Sequence, residues 1–458
     1  MTERFEILEK TILSMLENKK YLALRDVLST MNPADIAEIF LELESRKIPL
    51  LFRILPKEIA AEVFAEMESD AQEVLIQGFS DNELKDLLDE LYTDDAAELV
   101  EEMPASVVKR ILRQATPEMR RAINQILKYP DNSAGSLMTT EYVALRPEMT
   151  VEESILRIRR QGVDKETIYT CYVTKGKKLI GLITVKDLLL CQDDTAKVEE
   201  IMLTNLISVN THTDQEEVAK MFAKYNFLAL PVVDLENRLV GIITFDDAID
   251  VMQEETTEDM ELMGGMLPSE KTYLKSSAWE LFKNRIPWLL LLMISATFTG
   301  MIITAFEGAL AAQAALTAFI PMLMGTGGNS GSQSSVTVIR ALSLGELDYR
   351  DLPRVIWKEI RTAVLCGVAL AVVCFVKTWL VDRLLLGNTQ ITLLVNVVVC
   401  LALVVTVLAA KLVGAVLPIA AKVLKLDPAV MASPFITSIV DALSLLVYFL
   451  FARLLLGV

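Results

Sequence analysis

The strongest constraint on this chain is the absence of charge over long stretches beyond residue 285. Ile286–Thr304 is an uncharged run of 19 residues, and Gly308–Ile339 holds 32 residues without a charge. Thr362–Val376 begins a third run, Ile391–Ala410 gives a fourth of 20, and Pro428–Ala452 a fifth that carries one acid, Asp441. About 20 apolar residues cross a bilayer, so five spans are expected. The 32-residue run is too long for a plain span and should be broken internally. The connection 340–361 carries Arg340, Arg350, Arg354, Lys358 and Arg361, and the connection 411–425 carries Lys411, Lys422 and Lys425. Both belong on the cytoplasmic side by the positive-inside rule. The start, MTERFEILEK, has no apolar signal region. The expected topology is therefore a cytoplasmic N-terminus and a C-terminus outside.

Charge divides the chain at the same place. Residues 286–458 hold 11 bases and 8 acids, a net of +3, while residues 1–285 hold 33 bases and 53 acids, a net of −20. Nucleic-acid affinity comes from Lys and Arg neutralising phosphates, so the acidic part argues against it. It argues instead for divalent cations or basic partners. The five cysteines (171, 191, 366, 374 and 400) form no CxxC pair and three lie in apolar runs. They read as small buried hydrophobes in a reducing compartment. The single histidine, His212 in NTHTDQ, reads as an exposed loop residue before a helix. A zinc site, a catalytic triad and enzymatic activity in general lack a nucleophile–base pair to support them.

Two internal repeats organise the acidic part. From Arg4 to about Tyr129 the pattern is helical, punctuated by Pro33, Pro56, Asp81 and Pro104 at spacings of 23 to 25 residues. Each unit reads as a helix start followed by apolar residues at i, i+3 and i+4. No unit can bury its own face, so a short stacked superhelix is expected over 1–130. Over 131–252 the character becomes α/β. YTCYVTKGKKLIGLITVKDLL (169–189) matches FLALPVVDLENRLVGIITFDDAI (227–249), with Gly181 and Gly241 sixty apart. Each copy reads as strand, amphipathic helix, hairpin and second helix, and the pair resembles tandem CBS domains, modules that bind adenine nucleotides or metal ions. That resemblance implies a ribose contact at Asp187, beside Thr184. The plainer reading of the same Thr-x-x-Asp is a helix N-cap.

Three constellations carry chemistry. A carboxylate at mid-span costs roughly 2.5–3.5 kcal/mol even on the gentler scales, so Asp441 should face a pore or a buried base. Lys377 and Lys411 sit toward the ends of their runs, which favours the pore. Pro321-Met-Leu-Met-Gly325-Thr-Gly-Gly-Asn329-Ser-Gly-Ser-Gln333 combines glycine, amides and hydroxyls that disfavour a plain helix. Its freed carbonyls with Gly325, Gly328, Asn329 and Gln333 suit a cation pathway, whereas close small-residue helix packing is the alternative. Finally, Asp246–Glu261 holds eight acids and no base in sixteen residues. Asp247, Asp250, Glu254, Glu258 and Glu261 form one helical stripe, either a solvated face or a surface that needs counterions.

PMLMGTGGNSGSQ, the basic connection after it and the late-span Asp together resemble the MgtE family of magnesium channels, over essentially the whole chain. The resemblance implies a multidomain chain. Its parts are an all-α superhelical N domain (1–130), an α/β CBS pair (131–252), a connecting plug helix (253–283) and an α-helical membrane domain of five spans (284–458). It further implies a homodimer in the bacterial plasma membrane whose pore lies on the two-fold axis. The selectivity acid falls on Asp441 and the acid at the cytoplasmic start of the fifth span on Asp427. Ser433, Thr437 and Ser438 neighbour that pore, with Ser433 replacing the family's Asn. Hydrated Mg²⁺ dehydrates reluctantly, so paired carboxylates around its water shell suit it.

The same resemblance carries cytosolic Mg²⁺-sensing roles to Asp94, Asp95, Glu98, Asp214, Glu216, Asp247, Asp250, Glu255, Glu258 and Asp259. Ile59 and Asn226 stand where the family has acids. The resulting expectation is a Mg²⁺-selective channel closed by cytosolic Mg²⁺, with an adenine nucleotide as a second ligand of the CBS pair. An H⁺- or Na⁺-coupled transporter in which Asp441 cycles protons is the rival.

Overall fold

The computed structural model describes residues 2–41, 43, 47–269, 273–274, 276–385, 387, 390–431 and 433–457. The chain divides into two compact units, Met1–Met252 and Gln253–Val458, taken here one at a time.

In the first unit the punctuating residues each open a helix: Pro33–Leu41, Lys57–Ala65 after Pro56, Asp81–Leu88, and Ala105–Gln114 after Pro104. Each packs on the next in that series, as a stacked repeat requires. One apolar core runs from Ile12 to Ile123, with Phe40, Phe64 and Leu84 among its buried members. Ser80 begins its helix with a capping box, its Oγ accepting from the Glu83 amide while Glu83 Oε2 accepts from the Ser80 amide at 2.7 Å. Helix α1 (Thr93–Glu102) belongs to this domain and carries two acids in its first turn.

The CBS pair follows the expected order twice. The first copy has β1 (Ala144–Leu145), α2 (Val151–Gln161), β2 (Thr170–Lys175), β3 (Lys178–Thr184) and α3 (Val185–Leu190). The second has β4 (Val209–Asn210), α4 (Gln215–Tyr225), β5 (Ala229–Val233), β6 (Leu239–Thr244) and then α5 (Phe245–Met263). In each sheet the first strand pairs parallel with the second and the hairpin is antiparallel. Gly241 has a packing reason: a Cβ there would lie 2.7 Å from the Thr139 carbonyl, where the segment entering the first copy bridges to Ile242 of the second. His212 is exposed in the turn before α4, as expected, with its ring edge on Tyr129. The two positions that the resemblance leaves without an acid have structural roles of their own. Ile59 packs against the N-domain core. Asn226 closes α4 in the left-handed region, at φ 54°, which Asn tolerates better than most residues.

Among its described residues the second unit has five long helices: α6 (Ala278–Ala305), α7 (Ile320–Ser343), α8 (Leu352–Lys377), α9 (Leu393–Val423) and α10 (Ser433–Leu456). α9 packs on α7, α8 and α10; α10 also packs on α7 and α6. Among the described residues four segments qualify as membrane spans by length and composition: Ala278–Ala305, Tyr349–Arg383, Leu393–Val423 and Pro428–Leu456. The second of the five expected spans, α7, is long enough but its glycines and amides keep it below that hydropathy.

Three expectations need correction. The glycine-rich stretch is not broken; it is continuous α-helix within α7, and the irregular backbone lies earlier, around Phe306–Phe319. Glycine here serves close approach: a Cβ at Gly327 would lie 2.7 Å from Ser444 Oγ, and one at Gly414 would collide with the Gly331 carbonyl. Small-residue packing therefore accounts for these positions. Lys411 does not lie in a connection but inside α9, where it is buried. Among the described residues the connecting element is helical only to Met263, and α6 begins at Ala278.

Candidate functional site

Two groups of acids and one isolated acid deserve separate construction. In the first unit, the N-terminus of α1 brings Asp94 and Asp95 beside Glu166, which precedes β2, and Asp247 on α5. Their positions are fixed by short bonds. Thr93 Oγ1 donates to Glu141 Oε1, Glu141 Oε2 accepts from Thr139 Oγ1 at 2.7 Å, and the Glu166 amide donates to the Glu141 carbonyl at 3.0 Å. Asp247 Oδ2 accepts from the Thr244 amide at 3.1 Å and from Thr244 Oγ1 at 2.6 Å, so the second Gly-x-x-Thr-x-x-Asp anchors the acid that opens α5.

These carboxylates do not sit comfortably as anions. Burial, then Asp95, Asp247 and Glu166, pushes the Asp94 carboxyl well above the usual range. Burial and then Asp247 lift Asp95 to about 6; burial and then Asp95 and Asp247 lift Glu166 to about 8. Asp94 Oδ1 and Glu166 Oε2 are buried with no hydrogen-bond partner among the described residues. Nearby, burial followed by Asp250 and Asp246 raises Glu66. Clustered hard oxygen donors that hold protons for want of a counter-charge fit a divalent cation such as Mg²⁺, which would displace those protons. Among the described residues no three acids yet converge on a metal geometry, so a bound ion would have to draw them together.

Glu166 was not singled out from the sequence. The repeat contained the signal: counted back from the hairpins, whose Gly181 and Gly241 are sixty apart, Glu166 falls at the position of Asn226. The other expected sensors do not join this group. Asp214 caps α4 by accepting from the Glu216 amide at 2.9 Å, and Glu216 pairs with Lys220 at 2.6 Å. Glu98 is exposed later on α1. In the first CBS copy Asp187 Oδ2 accepts from Thr184 Oγ1 and from the Thr184 amide at 3.2 Å, a capping box like that of Asp247.

The acidic stripe on α5 is helical as expected, and its later residues belong to the second unit. Its end docks through Leu262 and Met263 on Ile339 of α7 and on Ala429. Asp259 Oδ2 accepts from Ser343 Oγ at 3.3 Å. Burial, then Asp427 and Glu261, raises the Glu258 carboxyl, which places Glu258 near the acid at the approach to α10. Asp427 Oδ1 in turn accepts from the Ala429 amide at 2.7 Å. Glu255 lies on the same helix, half-buried.

Asp441 is the only acid of α10, half-buried, and it takes part in no hydrogen bond or ion pair among the described residues. Thr437 and Ser438 donate back to the Pro434 carbonyl at 2.9 and 3.2 Å. The side chain of Ser433 lies outside the described residues. On α7, Pro321, Gly325, Asn329 and Gln333 follow one another at i+4 as an exposed stripe, whereas Gly328 is buried against Thr437. An acidic part built on two internal repeats, followed by a helical part with several segments long and apolar enough to cross a membrane and a carboxylate, Asp441, within one of them, has the features of a membrane cation transporter.

The comparisons with known proteins agree. The divalent cation transporter domain MgtE matches residues 320–451, the MgtE intracellular N domain matches 31–132, and CBS domains match 134–193 and 198–254. The magnesium transporter MgtE of Thermus thermophilus is 37% identical over 440 residues, 95% of each chain. That of Bacillus subtilis is 33% identical over 439 residues, covering 96% of this chain and 95% of its own. Among solved structures, the cytosolic domain of the Mg²⁺ channel MgtE in complex with ATP matches with a TM-score of 0.50 and 38% identity, over 53% of this chain and 99% of its own. The soluble part of a magnesium transporter matches with a TM-score of 0.52 and 30% identity, over 55% and 99%. This chain belongs to the MgtE family of magnesium transporters, and it is not an enzyme.

Proposed function

We propose that the protein is a Mg²⁺ channel that imports Mg²⁺ across the plasma membrane as a homodimer and is closed by cytosolic Mg²⁺. Asp441 carries this reading, because a half-buried carboxylate in a membrane helix without a partner needs a cation or a pathway. Two copies across a two-fold axis would set two carboxylates around one hydrated ion. The exposed Gly325, Asn329 and Gln333 would offer amides and backbone to its waters, and Asp427 would hold ions at the cytoplasmic mouth. With a cytoplasmic N-terminus the C-terminus lies outside.

Gating follows from electrostatics along α5. Asp94, Asp95, Glu166 and Asp247 repel one another in the ion-free state, and Glu258 and Asp427 do so at the other end of the helix. Mg²⁺ bridging each group favours the compact arrangement and therefore the closed pore, by its difference in affinity for the two states. A switch from 1:99 to 99:1 takes about 5.5 kcal/mol of differential binding, so several sites must act together. Adenine nucleotide binds at the first CBS copy, with Asp187 reaching the ribose; the ATP complex of a relative's cytosolic domain supports this reading.

Reconstitution of the full chain in liposomes under a Mg²⁺ gradient tests the pathway. Asp441→Asn should abolish Mg²⁺ flux while the size-exclusion profile stays that of the wild type. Near-normal flux in that variant would remove Asp441 from the pathway, and flux that requires a proton or Na⁺ gradient would replace the channel by a coupled transporter.

A further inference from the structure

One buried cation in the second unit has no place in the account so far. Lys411 of α9 is 5% exposed and Ser334 of α7 is 2% exposed. The Lys411 ammonium donates to Ser334 Oγ at 3.3 Å, and Ser334 Oγ donates to Glu359 Oε2 of α8 at 2.7 Å. The hydroxyl thus links ammonium and carboxylate across three helices. The link lies one turn beyond the Gly331–Gly414 crossing, where the absence of Cβ atoms lets α7 and α9 touch backbone to backbone.

A charge removed from water within an apolar helix bundle is costly unless it is compensated, and ionisable groups at such places are retained for a task. Two consequences follow here. Ser334 lies on the packed face of α7, so tethering it fixes the rotation of the helix and hence the direction of the exposed Asn329 and Gln333. Glu359 also cancels the ammonium's charge. Without it, a bare positive charge would stand beside α7 in a low-dielectric setting and oppose a divalent ion twice as strongly as a monovalent one.

We propose that Lys411, Ser334 and Glu359 form a charge-balanced relay that positions α7, with Glu359 the counter-charge that keeps the ion pathway selective for divalent cations. This rests on reading α7 and Asp441 as the pathway. The test is the ratio of Mg²⁺ to K⁺ flux in liposomes holding the full-length protein. Glu359→Gln should lower the ratio at least tenfold, and Lys411→Met, which leaves an unbalanced carboxylate, should raise it about threefold or more. The double variant should return to within about threefold of the wild type, and Lys411→Arg should stay there throughout. A merely structural role gives losses of the same sign for both single variants, and that result, or a double variant worse than either, overturns the proposal. If Glu359→Gln does not elute as the wild type does, the sign of the Lys411→Met effect decides alone. Asp441→Asn in parallel vesicles separates the two ideas: wild-type flux there defeats the pathway reading, whatever the relay variants do.

Discussion

Replacing Glu166 by Gln tests whether the acids at the α1–β2–α5 junction store repulsion in the ion-free state. The Glu166 carboxyl is lifted from 4.5 to about 8 by burial and by Asp95 and Asp247. A raised folded value means that the folded chain holds a proton which the unfolded chain has released. Stability is therefore full below about pH 4.5, falls as the pH rises through about 8, and stays low above it. At 1.36 kcal/mol per pH unit the lift corresponds to about 5 kcal/mol at most. Asp94, Asp95 and Asp247 share that repulsion, so removing one charge should recover about 2–3 kcal/mol at pH 9 and almost nothing at pH 5. For a unit of 252 residues this is a rise in Tm of about 5–10 °C. The assay is thermal unfolding and limited proteolysis of the full chain in EDTA across pH 5–9. Millimolar Mg²⁺ should flatten the wild-type profile and affect the variant less. Parallel pH profiles of wild type and Glu166→Gln in EDTA would refute the argument.

Further outcomes follow from the same geometry. Neutralising Asp247, Asp250, Glu255, Glu258 and Asp259 together should leave the channel open at millimolar cytosolic Mg²⁺; closure with the wild-type Mg²⁺ dependence would reduce the stripe to a solvated face. Millimolar ATP should raise the Tm of the full chain, and Asp187→Ala should remove that shift; an unchanged Tm in the wild type would leave Asp187 only its capping bond with Thr184. Gly414→Leu should force α7 from α9 and cost about 1–3 kcal/mol or more, seen as a lower Tm in detergent with loss of flux.

Much of the architecture is legible in the sequence itself. Helix starts at Pro33, Pro56, Asp81 and Pro104 announced the stacked repeat because a helix start is a local event, decided by proline geometry and by which amides lack partners. The two CBS copies showed through their sixty-residue offset, and Asp441 through the cost of a carboxylate in an apolar run. These are properties of residue order along the chain, of local segments and of their repetition, and they need no contact between distant parts to be seen.

Tertiary structure decided what depends on a distant neighbour. Local propensity argued that Gly325–Gly331 would break the helix, yet inside a membrane every backbone amide must find an intramolecular partner, and α-helix supplies one within the segment. The glycines instead permit the contact of α7 with α9 and α10. Lys411 looked like the first residue of a basic connection, and only the length of α9 carried it into the bundle, against Ser334. Glu166 sits at the repeat position of Asn226, but only its neighbours Asp94, Asp95 and Asp247 give it a meaning. Sequence determined which residues are charged, apolar or helix-starting; folding determined which charges must share one low-dielectric place, because that energy exists only between groups brought together.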